Sequence, residues 1–531
     1  VKSLLASIKN FLWPPDAALR LRRGELIFWA FVLALGYLPI HIGFVTCFAL
    51  ARPLKIVSEL SGKKAFGAAY FFSFFANLFH LYWVAVVTPP GMVAAIFILS
   101  LYPAAVMLAF SKVYRWKKLA GLILLPFLWV GMEYARSLSQ LAFPWTDLSY
   151  SLGYYLTFIQ IVSVIGCYGL SFVIVIYNIL VWQVFDSRNR LERRVSSVVA
   201  MVGITLAIYM YGYVVFEPYP EEGDIRVAMI QGNVPLDIKW SPETRMWNFD
   251  LYDSMAVAAA ADDSLDLTVW PETAAPTYPH HERQYRKRLL ETAMKTGTAQ
   301  LVGALDVHYD KGKEKTFNAA FQINGDGTLG QGYHKVKLVP FSEHVPYQDR
   351  LKFLSRDFLS QYLTFIETYD VQWWSDFYPG DSVMLFKCDD YWYAPLICFE
   401  AAFPDYCREA TLKGAEFLVN ITNDTWFGRS PGPYQHMRIS VFRAIENRIW
   451  VARCANSGIS AFIDPFGREF GRGELYVRKI LKHSIYPQQE YSVFTMEGPV
   501  IGKISALIMA AIFIILVAVW LIEKILRKSI S

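Results

Sequence analysis

Eight apolar runs stand out along the chain, at about 25–39, 41–54, 65–88, 91–111, 119–135, 164–185, 195–216 and 499–523. Most are long enough for an α-helix to cross the ~30 Å hydrocarbon core of a bilayer. The first two are short and parted by Leu38-Pro39-Ile40-His41, so one kinked span is the alternative to two. Between the seventh and eighth runs the pattern changes to short β-branched or aromatic stretches bounded by Gly, Pro, Asn and Asp. These predict strands at 225–230, 265–270, 300–307, 317–323, 329–334, 391–397, 417–421 and 450–454. Helices are predicted at 243–261, 282–296, 403–413 and 434–448, and Asn324-Gly325-Asp326-Gly327 reads as a hairpin turn. The expected architecture is therefore a helical membrane bundle of eight transmembrane helices plus an α/β sandwich. Its parts are spans one to seven within 1–221, the sandwich within 222–490, and the eighth span with its tail within 491–531.

Basic residues orient this plan, because Lys and Arg in short loops resist translocation. They cluster at 20–23, 52–64, 112–118, 188–194 and 524–528, while Thr88-Pro89-Pro90-Gly91 and 136–163 are almost free of them. With all five clusters cytoplasmic, an even number of spans separates each pair. Both ends then face the cytoplasm and 217–498 lies outside. Residues 1–23 carry five basic residues and no apolar core, so they read as a basic leader and not a cleavable signal. Ionisable residues inside the spans are few: His80, Glu133 and Arg136, the last two one helical turn apart and able to pair.

Composition agrees: 54% of residues are hydrophobic and 18% charged, unlike a soluble domain. A net charge of +5 is too small to argue for a nucleic-acid partner. Six cysteines without CxxC spacing suggest neither a disulfide framework nor a zinc site. His280-His281-Glu282 lacks a second ligand pair at useful spacing, so no metal is expected there.

In α/β folds, reactive groups collect at the carboxyl ends of strands. Three residues stand at such positions: Glu272 after Leu-Thr-Val-Trp-Pro, Lys335 after Gly-Gln-Gly-Tyr-His, and Cys398 after Ala-Pro-Leu-Ile. A thiol can serve as covalent nucleophile, a carboxylate as its general base, and an ammonium as the fixed charge for an oxyanion. Together they describe acyl transfer through a thioester.

The order Trp270-Pro271-Glu272, Lys335 ahead of Leu338-Val339-Pro340-Phe341-Ser342-Glu343, and Ile397-Cys398-Phe399-Glu400 resembles the Glu-Lys-Cys nitrilase superfamily. Gln231-Gly232-Asn233-Val234-Pro235 with Lys239-Trp240, 423–428, 432–436, 443–448 and 455–460 are similar to the apolipoprotein N-acyltransferases of bacterial cytoplasmic (inner) membranes. The resemblance covers essentially the whole chain. It implies an αββα nitrilase-like domain between spans seven and eight and a ping-pong reaction. An acyl chain would pass from a phospholipid, typically phosphatidylethanolamine, to Cys398, and then to the α-amine of a diacylglyceryl-cysteine on an apolipoprotein. It implies Cys398 as nucleophile, Glu272 as base, Lys335 as oxyanion stabiliser, Glu343 and Glu400 as supporting carboxylates, and no cofactor. Lys335 would favour thiolate and oxyanion alike. Lys337, Ser342 and Phe399 depart from the family pattern and bear on the fine tuning of the site.

Both substrates would be lipids. Trp240 and Trp145 are expected along the acyl path, and 345–379, with Phe358 and Trp373 among its aromatics, as a lid dipping into the interface. With Cys388, Cys407 and Cys454 in the same oxidising compartment, Cys398 is expected to be free. A membrane-tethered amidase or nitrilase and a catalytically silent lipid-binding scaffold are the rival readings.

Overall fold

The structure is a computed structural model that describes residues 17–218, 223–239, 241, 243–261, 264–310, 312–348, 350, 376–488 and 490–530. Of the expected substrate-path and lid residues, Trp240, Phe358 and Trp373 lie outside these, as does most of 345–379.

The first part is a bundle of α1 (Ala17–Leu35), α2 (Ala51–Ser58), α3 (Gly62–Leu81), α4 (Pro89–Trp116), α5 (Lys118–Ala135), α6 (Val162–Phe185) and α7 (Leu191–Val215). Of these, α4, α5, α6 and α7 are long and apolar enough to cross a membrane, as is the C-terminal helix Val500–Ile530. The chain is thus a membrane protein by five of its described helices. The run expected at 41–54 is not one helix: it breaks into the turn Gly43–Val45, the short piece Thr46–Ala49 and α2. Broken backbone in an apolar setting needs partners for its freed polar groups. Asn178 of α6 supplies two, accepting from the Leu50 amide at 2.7 Å and donating to the Thr46 carbonyl at 2.8 Å. Thr88-Pro89-Pro90-Gly91, read as a loop, starts α4. Thr88 accepts from the Gly91 amide, and Pro89, which has no amide to leave unpaired, takes the first helical position. The Glu133–Arg136 pairing is replaced by another. Arg136 bonds to Asp147 at 2.6 Å, while Glu133 accepts from the Leu148 amide and the Trp129 indole, because the loop after α5 folds back over its end.

The second part is a four-layer sandwich. Along the chain follow β1 (Ile225–Gln231), α8 (Arg245–Ala260), β2 (Leu267–Val269), α9 (Arg283–Thr296), β3 (Ala299–Asp310), β4 (Lys313–Ile323), β5 (Leu329–His334) and β6 (Phe386–Cys388). Then come β7 (Tyr391–Ile397), α10 (Pro404–Leu412), β8 (Phe417–Thr422), α11 (Gly432–Asn447), β9 (Trp450–Ala455), β10 (Ala461–Ile463), β11 (Glu469–Phe470) and β12 (Lys479–Ile485). One sheet has the order β12-β1-β2-β3-β4-β5, the other β11-β10-β9-β8-β7-β6. The central pairs β1/β2, β2/β3, β7/β8 and β8/β9 are parallel, each linked by a crossover helix, and the outer pairs are antiparallel. Val227, Val269, Leu301, Tyr393, Val419 and Ala452 fill the space between the sheets. Because both faces of the sheets are covered at their centres, the central strands β2, β7 and β8 read as largely apolar runs. The strands β6, β10, β11 and β12 went unread in the sequence: three are two or three residues long, and β12 carries Lys479, Lys482 and His483. The chain ends in α12 (Val500–Ile530), which packs against α5 so closely that a Cβ at Gly131 would lie 2.5 Å from the Ser505 carbonyl.

Candidate active site

The sandwich turns the ends of β2, β5, β7 and β8 toward the bundle. Glu272 comes three residues after β2, Lys335 directly after β5, Cys398 directly after β7 and Asn423 directly after β8. Two different sheets thus contribute to one site. Glu272, Lys335 and Cys398 line a single cavity of about 190 Å³, whose remaining wall is largely apolar and comes from the bundle. Trp83, Val87, Leu99 and Tyr102 stand on that side, with Phe143 and Trp145 from the loop after α5.

Lys335 is 1% exposed and its ammonium sits between two carboxylates, 2.7 Å from Glu343 and 3.4 Å from Glu272. Burial alone would lower its pKa, but these two carboxylates hold it above the ordinary lysine value, so it stays charged. The carboxylates are themselves fixed. Asn318 donates to Glu272 at 2.8 Å and to Glu343 at 3.1 Å, the Asn423 amide donates to Glu272 at 2.9 Å, and the Val339 amide to Glu343 at 2.8 Å. Lys239, also 1% exposed, donates to the Glu272 carbonyl at 2.9 Å and to the Thr273 hydroxyl at 2.5 Å. That contact supports a turn in which Thr273 is forced to a positive φ of 48°.

Cys398 is also left-handed, at φ 53°, a conformation costly for a residue with a side chain. Its carbonyl is tied down by the His436 ring at 3.1 Å and the Asn420 amide group at 3.3 Å. His436 leans on Asp424 at 2.9 Å, and Asp424 pairs with the buried Arg453 at 2.7 Å. Burial works against the Asp424 carboxylate, but Arg453 and His436 hold its pKa at about 2. The thiol itself is pushed up, by burial first and then by Glu272, with Lys335 only partly offsetting them. Cys398 at rest is therefore a neutral thiol. Lys335 favours the thiolate as expected, but burial and Glu272 together outweigh it. The six cysteines are unpaired, Cys388, Cys407 and Cys454 being buried apart from Cys398.

Glu400 lies fully buried behind the site, accepting from the amides of Ile397 at 2.7 Å, Val336 at 2.6 Å and Lys337 at 3.1 Å and from the Tyr333 hydroxyl. One carboxylate thereby joins the peptide before Cys398 to the peptide after Lys335. Phe399 stacks on Trp145 with ring planes 19° apart, and the Trp145 and Trp83 indoles both donate to Gln435. Lys337 lays its ammonium over the Phe403 ring, 5.3 Å from its centre, so this departure from the family pattern is accommodated away from the cavity. Asn318, Asn423, Asp424, His436 and Arg453 received no role from the sequence. Only Asn423 and Asp424 carried a signal, that of position, since they follow a strand end as directly as the three residues that were singled out, whereas Asn318 and Arg453 lie inside strands and His436 inside a helix.

Residues 226–493 match the carbon-nitrogen hydrolase family model, and residues 29–180 match the model of the apolipoprotein N-acyltransferase N-terminal domain. The chain is 33% identical to the apolipoprotein N-acyltransferase of Geobacter metallireducens over 88% of its own length and 90% of that protein. It is 28% identical to that of Chlorobaculum tepidum, with 83% and 86% of the two chains covered. Among solved structures, an amidase of the nitrilase superfamily from Nesterenkonia AN1 aligns with a TM-score of 0.36 at 19% identity, over 51% of this chain and 93% of that one.

Proposed function

The chain belongs to the apolipoprotein N-acyltransferase family of the nitrilase superfamily, and from that premise we propose how its own residues carry the transfer. Cys398 attacks the ester carbonyl of a phospholipid such as phosphatidylethanolamine while Glu272 takes the thiol proton. The new oxyanion forms against the Lys335 ammonium. Collapse forms the thioester and expels the lysophospholipid alkoxide, which takes the proton back from Glu272. The α-amine of a diacylglyceryl-cysteine then attacks the thioester, Glu272 accepts its proton, and the thiol is restored with the N-acylated lipoprotein released. Glu343 holds Lys335 in place, and Glu400 fixes the spacing between the lysine and cysteine loops.

The observation that carries this reading is the cavity itself. Its chemistry-bearing side is polar and drawn from both sheets, and its other side is apolar and drawn from the bundle. A soluble amide gives no reason for such a wall, whereas a lipid acyl chain does. A neutral resting thiol fits a general-base attack in which thiolate forms only as the ester arrives. In this reading α1, the broken segment 43–58, α3 and the five long helices make eight crossings. The sandwich then lies on the outer side of a bacterial inner membrane and both ends lie in the cytoplasm.

Incubation with phospholipid followed by intact-protein and peptide mass spectrometry tests it. An acyl increment on the Cys398 peptide is expected, absent in Cys398→Ala, and cleared when a diacylglyceryl peptide is added. Release of free fatty acid with no acylated peptide would point to a hydrolase instead.

A further inference from the structure

On the outer side of β3, away from the cavity, one buried carboxylate gathers three imidazoles. Asp306 is 1% exposed. His280 Nδ1 lies 3.1 Å from Asp306 Oδ1, His308 Nε2 lies 3.2 Å from Oδ2, and His334 Nε2 lies 2.8 Å from Oδ2. Asp306 and His308 are two residues apart on β3 and so share one face. His280 reaches them from the loop that follows Glu272. The ligand atoms of His280, Asp306 and His308 all fall within 4.8 Å of one another.

We propose that His280, Asp306 and His308 form a binding site for a borderline divalent transition cation, zinc foremost. Tetrahedral zinc with bonds of roughly 2.0–2.1 Å sets its ligand atoms about 3.3 Å apart, and Asp306 Oδ2 lies 3.3 Å from His280 Nδ1 and 3.2 Å from His308 Nε2. Imidazole nitrogens with a single carboxylate suit zinc, cobalt or nickel and not calcium or magnesium, which take oxygen. His280 and His308 are 42% and 55% exposed, so the cation can enter from solvent and keep a water in its fourth position. The parts are held before any ion arrives. The His280 ring meets the edge of Phe321 at 5.0 Å, the Asp306 carboxylate accepts from the Val307 amide at 3.0 Å, and His334 fixes its other oxygen. His334 thus stands where outer partners of metal-bound carboxylates stand. His281, its neighbour in sequence, is not part of the site: its ring faces the Val307 carbonyl at 2.9 Å. The cation would tie the loop carrying Glu272 to β3 and, through His334, to the residue before Lys335. Its role is a clamp on the two elements that present the base and the ammonium, outside the acyl-transfer chemistry.

The test uses the full chain, purified in detergent without a polyhistidine tag, stripped with chelator and dialysed against zinc or cobalt. About one metal per chain is expected by elemental analysis, with the visible absorption of tetrahedral cobalt and a melting temperature several degrees higher with zinc. His280→Asn/His308→Asn should lose the metal, the absorption and the zinc-dependent shift, while its metal-free melting stays at the wild-type value. His281→Asn should keep all three. Absence of retained metal in the wild type, equal metal in the double variant, or loss in His281→Asn would overturn the proposal. None of these readouts depends on acyl transfer, so failure here leaves the proposed function standing.

Discussion

The Glu446 carboxylate of α11 accepts from the backbone amide of Cys167 in α6 at 2.7 Å. That amide is available because α6 is kinked at Gly166, whose φ is 65°. The kink leaves a donor without its helical acceptor, and the sandwich supplies one through the helix that also carries His436. Arg443, one turn earlier in α11, lies 3.0 Å from the same carboxylate. Bundle and sandwich are therefore joined by a buried polar contact as well as by apolar packing.

Removing that carboxylate leaves the Cys167 amide without a buried acceptor and leaves Arg443 with only Tyr150, whose hydroxyl it meets at 3.3 Å. Glu446→Ala should destabilise the protein by about 3–5 kcal/mol, seen as a marked drop in melting temperature in detergent. Glu446→Gln, which keeps an acceptor for the amide, should lose less. Equal melting of Glu446→Ala and wild type would mean that the kink is held by something else.

The raised pKa of Cys398 has a kinetic signature. Alkylation needs thiolate, and a thiol shifted upward by burial and Glu272 holds little of it near neutrality. Iodoacetamide labelling of Cys398, followed by peptide mass spectrometry, should rise about tenfold per pH unit from pH 7 to pH 9 without levelling off. A plateau near pH 7 would mean a pre-formed thiolate and an attack that needs no base.

Lys239 gives a pH dependence of opposite origin. Burial lowers its pKa to about 7, Glu272 pulling weakly the other way. Between that value and the ordinary lysine range the unfolded chain holds a proton that the folded chain has released. Stability therefore rises with pH across that window, by up to about 1.4 kcal/mol per pH unit. Melting temperatures from pH 7 to pH 9 should show this rise in the wild type and a flatter profile in Lys239→Met. The same variant should also transfer acyl groups more slowly, because the turn after Glu272 loses its support.

Strand ends were the most legible part of the site. Glu272 and Cys398 each follow an apolar, covered strand, Lys335 follows the mixed edge strand Leu329–His334, and such ends are where an α/β sheet exposes side chains. The helices α8 to α11 were read to within two residues at each end. The partners of the site were not legible, since Asn318 reaches Glu272 from a neighbouring strand and Asn423 reaches it from the other sheet. The interior of the bundle was misread for the same reason. Sequence spacing offered Glu133 to Arg136, whereas the returning loop brought Asp147, which is fully buried beside it.

The sequence by itself determined the alternation of apolar runs and mixed segments, and with it a membrane bundle and an α/β sandwich. It also determined which residue types stand at the strand ends, because both follow from local periodicity and from flanks only a few residues long. The tertiary structure alone decided that thiol, carboxylate and ammonium share one cavity with an apolar wall from the bundle, that the ammonium's charge is divided between two carboxylates, and that His280 meets Asp306 and His308. Each of these sets contacts between residues dozens or hundreds of positions apart, and such distances are fixed by how sheets and helices pack, which no local pattern records.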